Sequence, residues 1–223
     1  MKQRVIRKAA LFFILAWCSG AYAAAFRVPA NMPVREPGLW LRESTNTVLH
    51  QGALLEIKRV WRICLYDQAD RALHELALRE QEVNAAGYGQ SCQMATPVLD
   101  GNLLSWTMQC KPLPAAAHTQ STIKSPLTIQ YHTTFLSGTQ TQSESSITSA
   151  DQNSGVNNHR IQTSMKRQGE CDDTLKPGMM LMEHLLVDGV ESLKSRRKSI
   201  IRKDVDDAKA YIKFRLEEFE QKQ

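Results

Sequence analysis

The sequence predicts a mainly β (α+β) domain: an antiparallel curved sheet or half-barrel of about six or seven strands, with one helix and a C-terminal helical extension. Three observations predict it. Short segments with period-two alternation recur between Gly, Pro and Asp turns. Within the central region one stretch alone carries apolar residues at three-to-four spacing. Four cysteines remain once an N-terminal targeting segment is set aside, which suits a domain stapled by two disulfides.

The targeting segment is residues 1–23. Lys2, Arg4, Arg7 and Lys8 precede an apolar run from Ala9 to Cys18, and Ala21-Tyr22-Ala23 offers small residues for cleavage between Ala23 and Ala24. The run is short for a membrane span, which needs about 20 residues. The alternatives are an uncleaved anchor or a lipid anchor on Cys18, where Trp17 occupies a position that favours a small residue. Four of the 28 Lys+Arg and none of the 23 Asp+Glu lie in this segment, so the mature chain has a net charge of only +1. That balance gives no reason to expect nucleic acid. The expected location is the periplasm.

Residues 24–36 read as an irregular, Pro-dotted segment, and residues 37–176 as the disulfide-stapled β domain. Strands are expected from Leu39 to Val48 and from Leu54 to Ile63, then a helix from about Asp67 to Val83, closed by Gly87-Tyr88-Gly89. In the next hairpin Cys92, Met94, Thr96 and Val98 share one strand face, and Leu104, Trp106, Met108 and Cys110 share another. Pairing 92 with 110, 94 with 108 and 98 with 104 calls for a three-residue loop, Asp100 to Asn102, or a bulge. It sets Cys92 opposite Cys110 and leaves Cys64 with Cys171 by elimination. Four Cys can also make a zinc site, but no C-x-x-C pair is present. Beyond a Pro/Ala linker, Ile123, Leu127, Ile129, Tyr131 and Phe135 form the dry face of a further strand. The Thr/Ser/Gln-rich return, Thr139 to Thr148, reads as an edge strand, and in the last strand Ile161 and Met165 point inward.

Residues 177–223 read as a C-terminal helical extension, helical from 179 to 222, with an amphipathic stripe of Ile201, Val205, Ala208, Ile212, Leu216 and Phe219. Lys194, Arg196, Arg197 and Lys198 form a basic cluster on it. This is either a solvated helix face or a weak contact with an anionic membrane surface or acidic partner.

Pro37-Gly38-Leu39-Trp40, then Cys64-Leu65, Cys92, Gly101, Trp106, Cys110 and Gly169-Glu170-Cys171, in that order, resemble the bacterial secreted family called domain of unknown function 3617. The resemblance covers about Pro37 to Cys171. It implies a periplasmic, antiparallel β-rich domain with no established activity. The segment after Met179 departs from the family pattern, in which the chain stops soon after the last Cys.

Chemical motifs fail on inspection. His74-Glu75 opens like a zinc protease signature, but position 78 is Leu, and the pair reads as a solvated helix face. Gly87-Tyr88-Gly89 follows a helix, so it is a turn and not a phosphate loop. No Ser sits in a G-x-S-x-G elbow. His132 and His159 fall on strands expected to be neighbours, where polar surface is the simpler role. Glu43, Glu56 and Glu144 fall on different strands with no close pair implied. No catalytic residue, metal ligand or cofactor is assigned. Trp40, Trp61, Trp106 and Tyr131 are either core or the wall of an apolar ligand site. The preferred expectation is a non-catalytic envelope protein that binds a small apolar ligand or another envelope protein. The alternatives are an interaction module acting through the C-terminal helix and an enzyme with an unrecognised site.

Overall fold

The computed structural model describes residues 26–50, 53–113, 123–151 and 156–220. The expected targeting segment, residues 1–23, and the expected cleavage between Ala23 and Ala24 lie outside the described residues. Strands β1 (Gly38–His50) and β2 (Ala53–Leu65) precede helix α1 (Asp67–Gly87). Then come β3 (Gln90–Cys92), β4 (Val98–Asp100), β5 (Leu103–Pro112), β6 (Leu127–Ser137), β7 (Gln140–Ser149) and β8 (His159–Gly169). Last are β9 (Met179–Val187), β10 (Val190–Glu191), β11 (Arg197–Ile200) and helix α2 (Ile201–Glu220).

All strands join one open antiparallel sheet in the order β10-β9-β2-β1-β8-β7-β6-β5-β3, with β11 beside β9 and β4 beside β5. The mainly β class holds, but 11 strands replace the expected six or seven. Part of the surplus comes from residues 179–200, which form β9, β10, β11 and their connections and not helix. Met179 to Leu186 is rich in Met and Leu, which are not branched at Cβ and favour helices in isolation. Here β2 on one side and β11 on the other take its backbone hydrogen bonds, and pairing overrides propensity.

The register puts Leu104, Trp106, Met108 and Cys110 of β5 on the same face as Leu127, Ile129, Tyr131 and Phe135 of β6, and Ile161 and Met165 of β8 lie there too. Cys92 pairs with Cys110 and forms a disulfide with it; Cys64 bonds Cys171. The strand expected from Cys92 to Val98 is broken. Asp100 pairs with Leu103 across a two-residue turn, Gly101-Asn102, and Val98 pairs with Ser105 instead of 104. Pro97 cannot donate to a ladder, and residues 93–97 slip the register by one. The slip turns Val98 outward, where it is 59 % exposed. The Ser/Thr/Gln-rich β7 is not an edge strand: β6 and β8 flank it, and Thr141, Ser145, Ile147 and Ser149 are buried.

The family-like motifs act as clamps. Gly38 has φ 138°, and a Cβ there would stand 2.3 Å from the Gly169 carbonyl oxygen, so only glycine fits. Arg167 Nε donates to the Pro37 carbonyl at 2.8 Å, and Trp40 Nε1 to that of Glu36 at 2.9 Å. Strand β8 thereby locks the start of β1.

Helix α1 crosses the inner face of the sheet. Ala69, Ala72, Leu73 and Leu76 pack with Trp40, Ile63, Met165 and Met180. Further along, Leu78 and Ala85 pack with Trp106, Met108, Leu127, Ile129 and Ile147. Helix α2 joins the first cluster through Ile201 and Val205. Beneath α1 lies a buried polar node. Arg35 Nε pairs with Asp70, Nη1 reaches Met165 Sδ, and Nη2 donates to His74 Nε2 at 2.9 Å. A guanidinium can only donate, so His74 is held neutral.

Two outcomes follow. Truncation after Gly178 removes β9 and α2 and exposes Trp40 and Ile63, each buried side chain being worth roughly 1.5–3 kcal/mol. The truncated protein is expected to fail to give a cooperative thermal transition in circular dichroism; a normal transition would make the extension dispensable. The second outcome concerns pH. Burial and the adjacent Arg35 push His74 well below 6.5, and burial lowers His159. Below about pH 6.5 the unfolded chain binds protons that the folded chain refuses, so stability is present above that pH and lost as pH falls. The slope is at most about 1.4 kcal/mol per pH unit for each histidine. Urea denaturation at pH 7.5 and 5.0 should show the loss, and His74→Gln should flatten it; equal stability at both pH values would contradict the neutral node.

Candidate functional site

The inner face carries an alternation on β1 and β2 that is not uniformly apolar. Trp40, Arg42, Ser44 and Asn46 lie opposite Ile63, Trp61, Arg59 and Ile57 in turn, all on the face the helices cover. On β9, Met180 and Met182 pair with Ile63 and Trp61 and continue that face, and β11 adds Ser199 and Arg197. Helices α1 and α2 pack on each other, with Glu75 holding Arg202 and Lys209, and leave part of these strands uncovered. A groove of about 510 Å³ remains between the sheet and the facing sides of α1 and α2. Trp61, Met180, Met182 and Ile161 form its floor; Leu76, Gln81 and Val83 of α1 and Ala208 and Tyr211 of α2 form its walls.

The polar atoms of the groove are incompletely matched. Arg42 is answered by Glu80 at 3.7 Å, and Asp207 by Lys203. The half-buried Arg59 has no ion pair, side-chain hydrogen bond or ring contact among the described residues. Gln81 is 4 % exposed, yet its Oε1 lacks a hydrogen-bond partner, as do Asn46 Oδ1 and Ser199 Oγ. A buried polar atom left unpaired costs about 1–3 kcal/mol, so it is normally satisfied by protein, water or ligand. Burial is the main cause that lowers the Arg59 pKa; Glu80 opposes it and Arg42 adds to it.

Other cavities are less built. One of about 620 Å³ lies where Phe26, Val28, Tyr66, Pro177 and Ile200 meet, but its Arg27, Arg71 and Arg202 are exposed to water. On the outer face a polar trough of about 380 Å³ holds Glu43, Lys58, His132, Glu144 and Gln162. There Glu43 pairs with Lys58 at 3.1 Å, and Glu144 accepts a hydrogen bond from Arg160 that holds it below its ordinary value.

The expected site residues separate. Trp40 is fully buried in one cluster, while Trp106 stacks on Tyr131 at 4.9 Å in another. Trp61 reaches the groove, and Tyr131 lines only a small hollow of about 40 Å³ beside Arg35 and His74. The four are not one wall: Trp40 and Trp61 belong to the cluster on β1 and β2, and Trp106 and Tyr131 to the one on β5 and β6. His132 and His159 stand on β6 and β8 with β7 between them; His159 is buried and His132 faces outward. His74-Glu75 is not solvated: His74 is buried, and Glu75 takes Arg79 at 3.8 Å, Arg202 at 3.4 Å and Lys209 at 2.6 Å. The basic cluster lies off the helix. Arg197 and Lys198 belong to β11, with Arg197 at the groove and Lys198 Nζ on the Thr174 carbonyl, and Lys194 and Arg196 precede it in the exposed connection.

Sequence reasoning reached Trp61 but missed Arg59 and Gln81. Both are of residue types common on the surface of a strand or a helix. The one signal was an Arg two positions before Trp61, on the same strand face.

Among solved structures, two chains were found with 10 % identity and a TM-score of 0.11, each covering 75 % of this chain and 83 % of its own: Scytalido-glutamic peptidase with a peptide-based transition state analog, and SCP-B, an Eqolisin peptidase, with the tripeptide Ala-Ile-His. At that score neither shares the fold in a way that informs the site. No curated protein matches. A family model, the protein of unknown function DUF3617, matches residues 35–171, from the buried Arg35 to the last disulfide cysteine. The chain belongs to the DUF3617 family.

Proposed function

We propose that this is an exported, non-catalytic binding protein that holds a small amphiphilic molecule in the groove between the sheet and its two helices. One observation carries the reading: the groove joins an apolar floor, Trp61, Met180 and Met182, to buried polar atoms that the protein leaves unmatched. Small-molecule sites combine these two features, an apolar surface for affinity and a few polar groups for orientation, in cavities of about 300–1,000 Å³. Two disulfides suit an oxidising compartment outside the cytoplasm. A protein-docking role through α2 is less favoured, because Ile201, Val205, Ile212 and Phe219 spend the apolar stripe inside the molecule.

The neutral dye N-phenyl-1-naphthylamine tests this. Its fluorescence should rise saturably with the purified protein at one site per chain. Ala208→Phe fills the groove from the α2 wall and is expected to weaken the dye by about tenfold or more. Absence of binding, or binding that Ala208→Phe leaves unchanged, would overturn the proposal.

A further inference from the structure

The charges within the groove name the class of its occupant, an inference that rests on the groove being a ligand site. We infer that the ligand is an amphiphile with an anionic head, a carboxylate or a phosphate, seated on the Arg59 guanidinium. Arg59 lies within the sheet, opposite Ser44 and two residues from Trp61 on the same face. Its stem therefore runs beside the apolar floor and its head opens into the cavity.

The surrounding charges leave Arg59 without an ion pair among the described residues, with only the longer-range attraction of Glu80 and the repulsion of Arg42 acting on it. Glu80 is committed to Arg42 at 3.7 Å and lies beyond ion-pair reach of Arg59. Asp207 is committed to Lys203, and Asp204 sits in the first turn of α2, where the helix end favours its charge. Arg197 is exposed at the rim. A guanidinium withdrawn from water without a carboxylate is costly, and a planar, bidentate oxyanion is its natural complement. Asn46 Oδ1 and Gln81 Oε1 are free acceptors along the groove. They call for donors near the head, such as a hydroxyl, an amide N–H or a water bound to the anion. Trp61, Leu76, Met180 and Met182 remain for the apolar tail.

Isothermal calorimetry with decanoate, decyl phosphate and 1-decanol separates the possibilities. The intact protein should bind at least one of the two anions about tenfold or more tightly than decanol. The stronger anion identifies the head as carboxylate or phosphate. Arg59→Gln should abolish the preference while decanol affinity stays within about twofold, which also reports an intact fold. Arg59→Met, which keeps the stem, is the second variant and is read in the same way. Equal affinity for decanol and both anions would overturn the anionic assignment while leaving the groove reading intact. An anion preference that survives both Arg59 variants would place the head elsewhere and overturn it too. Failure of all three probes would overturn the groove reading itself.

Discussion

One face of a broad antiparallel sheet must be kept dry, and a single helix cannot cover this one. The path from β10 to β3 crosses eight strand spacings of ~4.8 Å, about 38 Å in all. Helix α1, with 21 residues, is roughly 30 Å long and only about 10 Å across. It bridges the Trp40 cluster and the Trp106 cluster, and so ties the two halves of the sheet together. The strands at the β9 end are left to α2. Beside the contact between the two helices, over β1, β2 and β9, the groove remains. The cavity is thus a consequence of how the sheet is covered, and its polar lining is what distinguishes it from a packing defect.

The residues that carry the family resemblance build the frame and leave the groove free. Gly38 and Gly169 allow a close backbone approach, Trp40 and Trp106 anchor the two clusters, and the four cysteines tie β2 to the loop after β8 and β3 to β5. Arg59, Trp61 and Gln81 lie outside those motifs, and β9, β11 and α2 lie beyond residue 171, the last residue of the family match. The segment after the last cysteine supplies Met180, Met182, Ala208 and Tyr211, so it completes a site that the clamped frame only begins.

The alternation of β5 and β6 and the opposition of Cys92 and Cys110 were readable because each depends on period two within one hairpin. The Trp40 and Trp106 core roles were readable for the same reason. Strand β9 was not, since Met and Leu carry no β signal until β2 and β11 offer hydrogen bonds. Strand β7 looked like an edge because its inner face is Thr141, Ser143 and Ser145. Those hydroxyls sit beneath the Arg35–Asp70–His74 node, a long-range polar centre that no local pattern announces. Arg59 and Gln81 are ordinary surface types, and the groove they line draws on β1, β2, β9, α1 and α2, which no local pattern brings together.

The most direct test is a crystal structure of the protein purified from its own compartment without added ligand. Elongated electron density is expected on Trp61 beneath Tyr211, with a polar end within hydrogen-bond reach of Arg59 and Gln81. A groove closed by Tyr211 packed on Trp61, with Arg59 turned onto Glu80 and Gln81 bonded within the protein, would contradict it.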